Sequence, residues 1–124
     1  QSYGGCVFSG FSSIDYIRGT KAPIYSIVEG CAASAATLMS VVADKRFMTE
    51  HSFMLIHQLS GGVWGTYEDI VDNKKNCDRL MKMIKNIYLE HTKIPKKKLD
   101  SILKTDIWLD AKQCLDYGLV DEII

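Results

Sequence analysis

Residues 24–40 read IYSIVEGCAASAATLMS, and this stretch changes character halfway. Ile24–Val28 is β-branched and aromatic, the composition of a buried strand. Glu29 and Gly30 end that strand. From Ala32 to Ala43 the sequence reads as a turn leading into a helix of small and aliphatic residues. Ser34 therefore stands where a strand hands over to a helix. Its surroundings, EGCAASAA, hold five Ala or Gly in eight residues. Such crowding serves close packing. It equally leaves room for a substrate carbonyl beside an exposed hydroxyl, with helix N-terminal N–H groups facing a developing oxyanion. Ala35 would supply one such donor.

Outward from this junction, helices and strands alternate, the signature of an α/β or mixed layered domain. Upstream, SYGG (Ser2–Gly5) is a turn, and Val7–Arg18 has helical apolar spacing. GTKAP (Gly19–Pro23) breaks that helix. Downstream, 46–49 and 52–57 read as short strands, and 58–65 as a glycine-rich loop. Thr66 and Asp69 form a capping box before a long helix running to about Glu90. Its stripe is Ile70, Cys77, Leu80, Met81, Ile84, Ile87 and Tyr88. Pro95 suits the start of a short helix over 96–103. A strand over 107–109, a helix capped by Asp110 and Gln113 and ended by Gly118, and a strand over 119–124 complete the chain.

The bulk properties fit one globular domain over residues 1–124. The 124 residues suffice for a core, and 47% are hydrophobic. Fifteen basic and fifteen acidic residues cancel, so no electropositive field points to nucleic acid or an anionic membrane. No apolar run reaches the roughly 18 residues of a membrane span. The four cysteines are scattered, which suits buried thiols in a reducing compartment such as the cytoplasm. No CxxC, HExxH, P-loop or GxGxxG occurs, so neither a metal site nor a nucleotide cofactor is expected. The sequence begins at Gln1 rather than Met, as expected of a fragment or processed form.

A serine nucleophile needs a base. Of the three histidines, His91 ends a charged helix and is expected in solvent, and His51 lies in a turn. His57 is delivered by the apolar strand FMLI to a glycine-bordered opening, which makes it the best base candidate. A satisfied core histidine is the plainer reading. A carboxylate must then orient the imidazole. Composition does not choose among Asp100, Asp106, Asp110 and Asp116. Asp110 is better explained as a helix cap, Asp116 lies within a helix, and Asp106 just precedes the strand IWL with its side chain free.

SYGG, GCAASAA, LIHQLSGG and TDIWLDAKQCLDYGLVDEII, in this order along nearly the whole chain, resemble the ClpP-like serine peptidases, the proteolytic subunits of Clp proteases. The resemblance implies a ClpP/crotonase-like fold of layered β-sheets flanked by helices, lacking the family's upstream N-terminal strands. It implies Ser34 as nucleophile, His57 as general base and Asp106 as orienting acid. Gly5 and Ala35 would offer oxyanion N–H groups. Peptide would bind by strand addition along Gly5, Cys6 and Val7 and along Ser60, Gly61 and Gly62. The long helix after Thr66 is similar to the element through which two rings stack. A homo-oligomeric ring, a peptide or unfolded-protein substrate and an ATP-dependent unfoldase partner follow from the same resemblance. No cofactor is implied. Where family members commonly carry Pro, this chain has Tyr3 and Leu59, and Thr105 stands where Arg often precedes the acid. Three rival expectations are a non-catalytic ring subunit, a crotonase-type acyl-CoA enzyme, and a serine–lysine peptidase using Lys45 or Lys74.

Overall fold

The chain builds two small sheets and five helices. The computed structural model describes residues 1–124. In order, the elements are α1 (Val7–Gly19), β1 (Tyr25–Val28), β2 (Cys31–Ala33), α2 (Ala35–Val41), β3 (Lys45–Met48), β4 (Phe53–Leu55), α3 (Tyr67–His91), α4 (Lys96–Ile102), β5 (Leu109–Asp110), α5 (Ala111–Asp116) and β6 (Glu122–Ile123). The first sheet has the order β1-β3-β6, all parallel. The second has the order β2-β4-β5, with β5 antiparallel. This is the layered α/β architecture flanked by helices expected from the sequence.

Gly30 explains why there are two sheets. Its φ of +67° turns the chain out of β1, a conformation that suits glycine. The chain re-enters as β2, so Cys31–Ala33 is a strand where a turn was expected. Its Ala side chains are small because Ala32 and Ala33 are buried between layers. Ser2 extends this sheet through a parallel bridge to Ala32.

The core joins both sheets to the helices. Met48 of β3, Met54 of β4, Leu99 of α4 and Leu119 before β6 are fully enclosed. Each such side chain contributes about 1.5–3 kcal/mol by leaving water. Helix α1 approaches α2 closely because Gly10 faces Ala35, where an added Cβ would lie 3.3 Å from the Ala35 Cβ.

Both expected capping boxes are present, Thr66 with Asp69 and Asp110 with Gln113. Gly118 follows α5 at φ +67°. Besides β2, three further elements differ from expectation. The strand expected over 107–109 is confined to Leu109–Asp110, where pairing to Met54 and Phe53 is available. The last strand is only Glu122–Ile123. The α3 stripe is buried only at Ile84 and Tyr88, because the helix packs on the core through its C-terminal half alone.

Candidate functional site

The sheet registers bring Ser34 and His57 to one end of the second sheet. Parallel pairing sets Ala33 opposite Leu55. Ser34 is the residue after Ala33, and His57 lies two residues beyond Leu55. Both therefore leave the same sheet edge together, and both line one cavity of about 180 Å³.

Ser34 occupies the one position between β2 and α2, at φ 57° and ψ −131°. It is the sole non-glycine residue with positive φ. Such a conformation costs about 1–3 kcal/mol and persists only when its surroundings enforce it. Three hydrogen bonds do so. The Ser34 N–H donates to the Leu55 carbonyl at 2.8 Å. The Ser34 carbonyl accepts from the Thr37 N–H at 3.0 Å and from the Thr37 hydroxyl at 2.7 Å. The Ser34 hydroxyl caps nothing and is left free.

Gly4 presses directly on this turn. A Cβ there would sit 2.6 Å from the Ala33 carbonyl oxygen and 2.7 Å from the Ser34 Cβ, at a φ of +87°. The next residue, Gly5, lines the cavity, and its N–H has no acceptor within the chain. Ala35, the first residue of α2, lines the cavity too; an N–H at that position has no intrahelical acceptor. Two residues with uncommitted main-chain N–H groups thus line the same cavity as Ser34. The floor of the cavity is apolar, formed by Leu38, Ile84, Tyr88, Leu59 and Val7.

The His57 side chain is largely covered, and its Nδ1 lies 3.9 Å from Asp106 Oδ1. That is an ion-pair distance and exceeds a hydrogen bond. Asp106 follows the turn at the end of α4, a turn closed by the Thr105 hydroxyl on the Ile102 carbonyl. A bond from the Gln58 N–H to the Leu103 carbonyl, 2.7 Å, ties the chain just after His57 to the same turn. The Asp106 side chain is 84% exposed. The other carboxylates are engaged elsewhere. Asp100 pairs with Lys85 at 2.7 Å, Asp110 caps α5, and Asp116 pairs with Lys112.

The remaining sequence candidates fall as follows. Ser60 lines the cavity, whereas Gly61 and Gly62 do not. Cys6 lines it as the N-cap of α1, but its carbonyl accepts the Gly10 N–H at 3.1 Å. Val7 is the first residue of that helix. The segment expected to receive a peptide strand along Gly5, Cys6 and Val7 is thus extended through Cys6, at φ −62° and ψ 125°, and turns helical at Val7. His91 is half-buried, against expectation, with its Nε2 enclosed, without a hydrogen-bond partner and 4.0 Å from Glu90 Oε1. Burial, the largest cause, holds its pKa below the usual histidine value. Neither Lys45 nor Lys74 lines the cavity. Lys74 pairs with Asp78, and Lys45 lies over the Phe47 ring. No group of three or more His, Cys, Asp or Glu side chains converges anywhere.

Sequence reasoning missed Gly4, Thr37 and Tyr88. The double glycine of SYGG signals a close approach as well as a turn. Thr37 stands out as the one hydroxyl residue in AATLM after Ser34. Tyr88 carries no signal beyond its place in the α3 stripe.

Two sheets flanked by helices, with a strained serine and an imidazole lining one cleft, define a mixed α/β domain. The family model described as Clp protease matches residues 1–124, and the chain belongs to that family. It is 36% identical over 125 residues to the ATP-dependent Clp protease proteolytic subunit 2 of Treponema denticola, covering 99% of this chain and 62% of that protein. It is 33% identical over 128 residues to the proteolytic subunit 1 of Chlamydia caviae, covering 100% of this chain and 67% of that protein. Against the proteolytic subunit of Deinococcus radiodurans it is 32% identical over 123 residues, 98% of this chain and 60% of that protein. The chain thus spans about three fifths to two thirds of the length of these relatives.

Proposed function

We propose that this chain is a serine endopeptidase of the Clp type. One observation carries the reading: an unbonded serine hydroxyl on a strained turn shares a cavity with an imidazole and two main-chain donors. In the proposed reaction His57 takes the Ser34 hydroxyl proton as Oγ attacks a peptide carbonyl. The oxyanion forms against the Gly5 and Ala35 N–H groups. His57 then gives its proton to the leaving amine, and water repeats the sequence on the acyl-enzyme. Asp106 orients the imidazole. The apolar floor suits a hydrophobic substrate side chain beside the cut bond.

Assembly and partners belong to the same proposal. Large apolar side chains stand exposed on the outer half of α3 (Tyr67, Ile70), on β1 (Tyr25, Ile27) and at Trp64. Surfaces of this kind commonly meet other copies, which supports a homo-oligomeric ring. Relatives described as ATP-dependent proteolytic subunits support a peptide or unfolded-protein substrate delivered by an ATP-driven unfoldase. No helix is long and apolar enough to cross a membrane. All four cysteines are free thiols, which supports the cytoplasm as the setting.

The wide His57–Asp106 separation favours one alternative, a ring subunit without activity. A crotonase-type acyl-CoA enzyme is disfavoured because no carboxylate lines the cavity. A fluorophosphonate probe decides between activity and its loss. The peptidase reading expects covalent labelling at Ser34, abolished in Ser34→Ala together with cleavage of a fluorogenic peptide. Absence of both in the assembled wild-type protein would leave the inactive subunit.

A further inference from the structure

We propose that Tyr88, acting through Thr37, is a positioning residue for the oxyanion donor at Ala35; the inference rests on the peptidase reading above. Tyr88 and Thr37 are both fully buried, and their hydroxyl oxygens are 2.6 Å apart. The Thr37 hydroxyl also lies 2.7 Å from the Ser34 carbonyl. A carbonyl only accepts, so the single Thr37 proton is committed to Ser34. Tyr88 must therefore donate to Thr37. The result is a directed chain: Tyr88 O–H to Thr37 Oγ1, and Thr37 O–H to the Ser34 carbonyl. Burial pushes the Tyr88 hydroxyl above its ordinary pKa, so it remains a donor across the working pH range.

Peptide planarity makes this chain matter. The Ser34 carbonyl and the Ala35 N–H belong to one trans peptide unit and point in opposite directions. Holding the carbonyl toward Thr37 holds the N–H toward the cavity. Ser34 sits in a costly conformation that it could relieve by rotating this same unit. The Thr37 N–H alone, at 3.0 Å, gives one restraint; the hydroxyl chain adds a second, from a different helix. That helix is fixed at this point. The Tyr88 carbonyl accepts from the Thr92 N–H at 2.9 Å and hydroxyl at 2.6 Å. Arg46 Nη1 donates to the His91 carbonyl at 2.6 Å. The Tyr88 ring also floors the cavity, so the side chain cannot turn aside without opening a void.

The test uses the assembled protein with Tyr88→Phe, Thr37→Val and Thr37→Ser. An interaction realised at the oxyanion acts on kcat and not on ground-state binding. Losing the tyrosine donor should lower kcat about three- to tenfold. KM should stay within about twofold. Thr37→Val should lose at least as much, and Thr37→Ser should restore the wild-type rate. Wild-type kcat in both Tyr88→Phe and Thr37→Val, or a loss confined to KM, would overturn the proposal. Hydrogen exchange at the Ser34 amide separates this from failure of the peptidase reading. It should quicken in Tyr88→Phe and Thr37→Val, while the Met48 amide in the other sheet does not change. If the wild-type protein neither labels nor cleaves, the peptidase reading fails, and exchange alone decides whether the chain of hydroxyls holds Ser34. Unchanged exchange would then sink it.

Discussion

Replacing Asp106 with Asn measures how closely His57 is supported during turnover. Where a carboxylate is buried and hydrogen-bonded to the imidazole, its amide variant costs about 10⁴-fold in kcat. Here the oxygen stands 3.9 Å from Nδ1 and the side chain is 84% exposed. Two unit charges at that distance in water attract by about 1 kcal/mol. A transition state carrying imidazolium would therefore lose about fivefold in rate with Asp106→Asn. The assay is kcat/KM for a short fluorogenic peptide, taken at low salt and again near 1 M. The exposed pair should lose part of its effect in salt, because screening shortens to about 3 Å there. A loss beyond about a thousandfold, indifferent to salt, would refute this reasoning. It would mean that the pair closes to a dry hydrogen bond when substrate binds. No loss at all would remove Asp106 from the site.

Gly4→Ala should be far more damaging than Gly5→Ala. At Gly4 the new Cβ meets backbone and the Ser34 Cβ at under 3 Å, with φ at +87°, whereas at Gly5, at φ +156°, it meets backbone strain alone and nothing within 4 Å. Left-handed backbone and overpacking together cost about 2–5 kcal/mol, so a lowered Tm and slower probe labelling are expected for Gly4→Ala; an unchanged Tm would contradict the packing described. Cys6 should react first with a thiol reagent at mild alkaline pH, and Cys114 last. Hydrogen bonding from the Ser9 and Phe8 backbone lowers the pKa of the exposed Cys6 thiol, whereas burial pushes that of Cys114 up to about 12; mass spectrometry of partially alkylated protein gives the order. Acid should weaken the fold through Asp121, whose pKa lies below the usual carboxylate value because Arg46 hydrogen-bonds it. The unfolded chain then binds the proton more readily, so this stabilisation is complete above about pH 3.9 and fades as pH falls through the folded value. Asp121→Asn should lower Tm at neutral pH and flatten that part of the acid limb; an acid limb identical to wild type would exclude Asp121 as a contributor.

Much of this was legible in the sequence, and the exceptions have physical causes. Long periodic segments declared themselves: α1, α3 and the two capping boxes fall where spacing and cap residues put them. The junction of strand, Ser34 and helix was readable because β-branched residues give way to alanines. Two short strands were not readable. Cys31–Ala33 is strand only because β4 lies beside it and Gly30 turns the chain toward it; alanine has no strand preference of its own. Likewise Leu109–Asp110 takes its register from Phe53 and Met54. The half-burial of His91 depends on α1 and β3 folding over the end of α3, where Arg18 reaches Glu90 and Arg46 reaches the His91 carbonyl. Among the aspartates, separating Asp106 from Asp100 required knowing that Lys85 lies across from α4. The hydroxyl chain from Tyr88 joins residues 51 apart in sequence, a distance at which periodicity carries no information.

The small residues around Ser34 first suggested two rival meanings, close packing or chemistry. In the folded chain the two meanings converge. Gly4 lets one backbone lie against the serine turn, and Gly10 lets α1 lie against Ala35. Ala33 and Ala35 are buried with no side chain large enough to push those segments apart. A single larger residue at any of these positions would separate the backbones. Only with them in contact does the turn stay in a conformation that serine would otherwise leave. Packing therefore holds the strain at a turn whose Ser34 and Ala35 line one cavity. A cluster of alanines and glycines around one serine is thus evidence for a site in the measure that it forces backbone close to backbone. Its low polarity alone would argue only for a core.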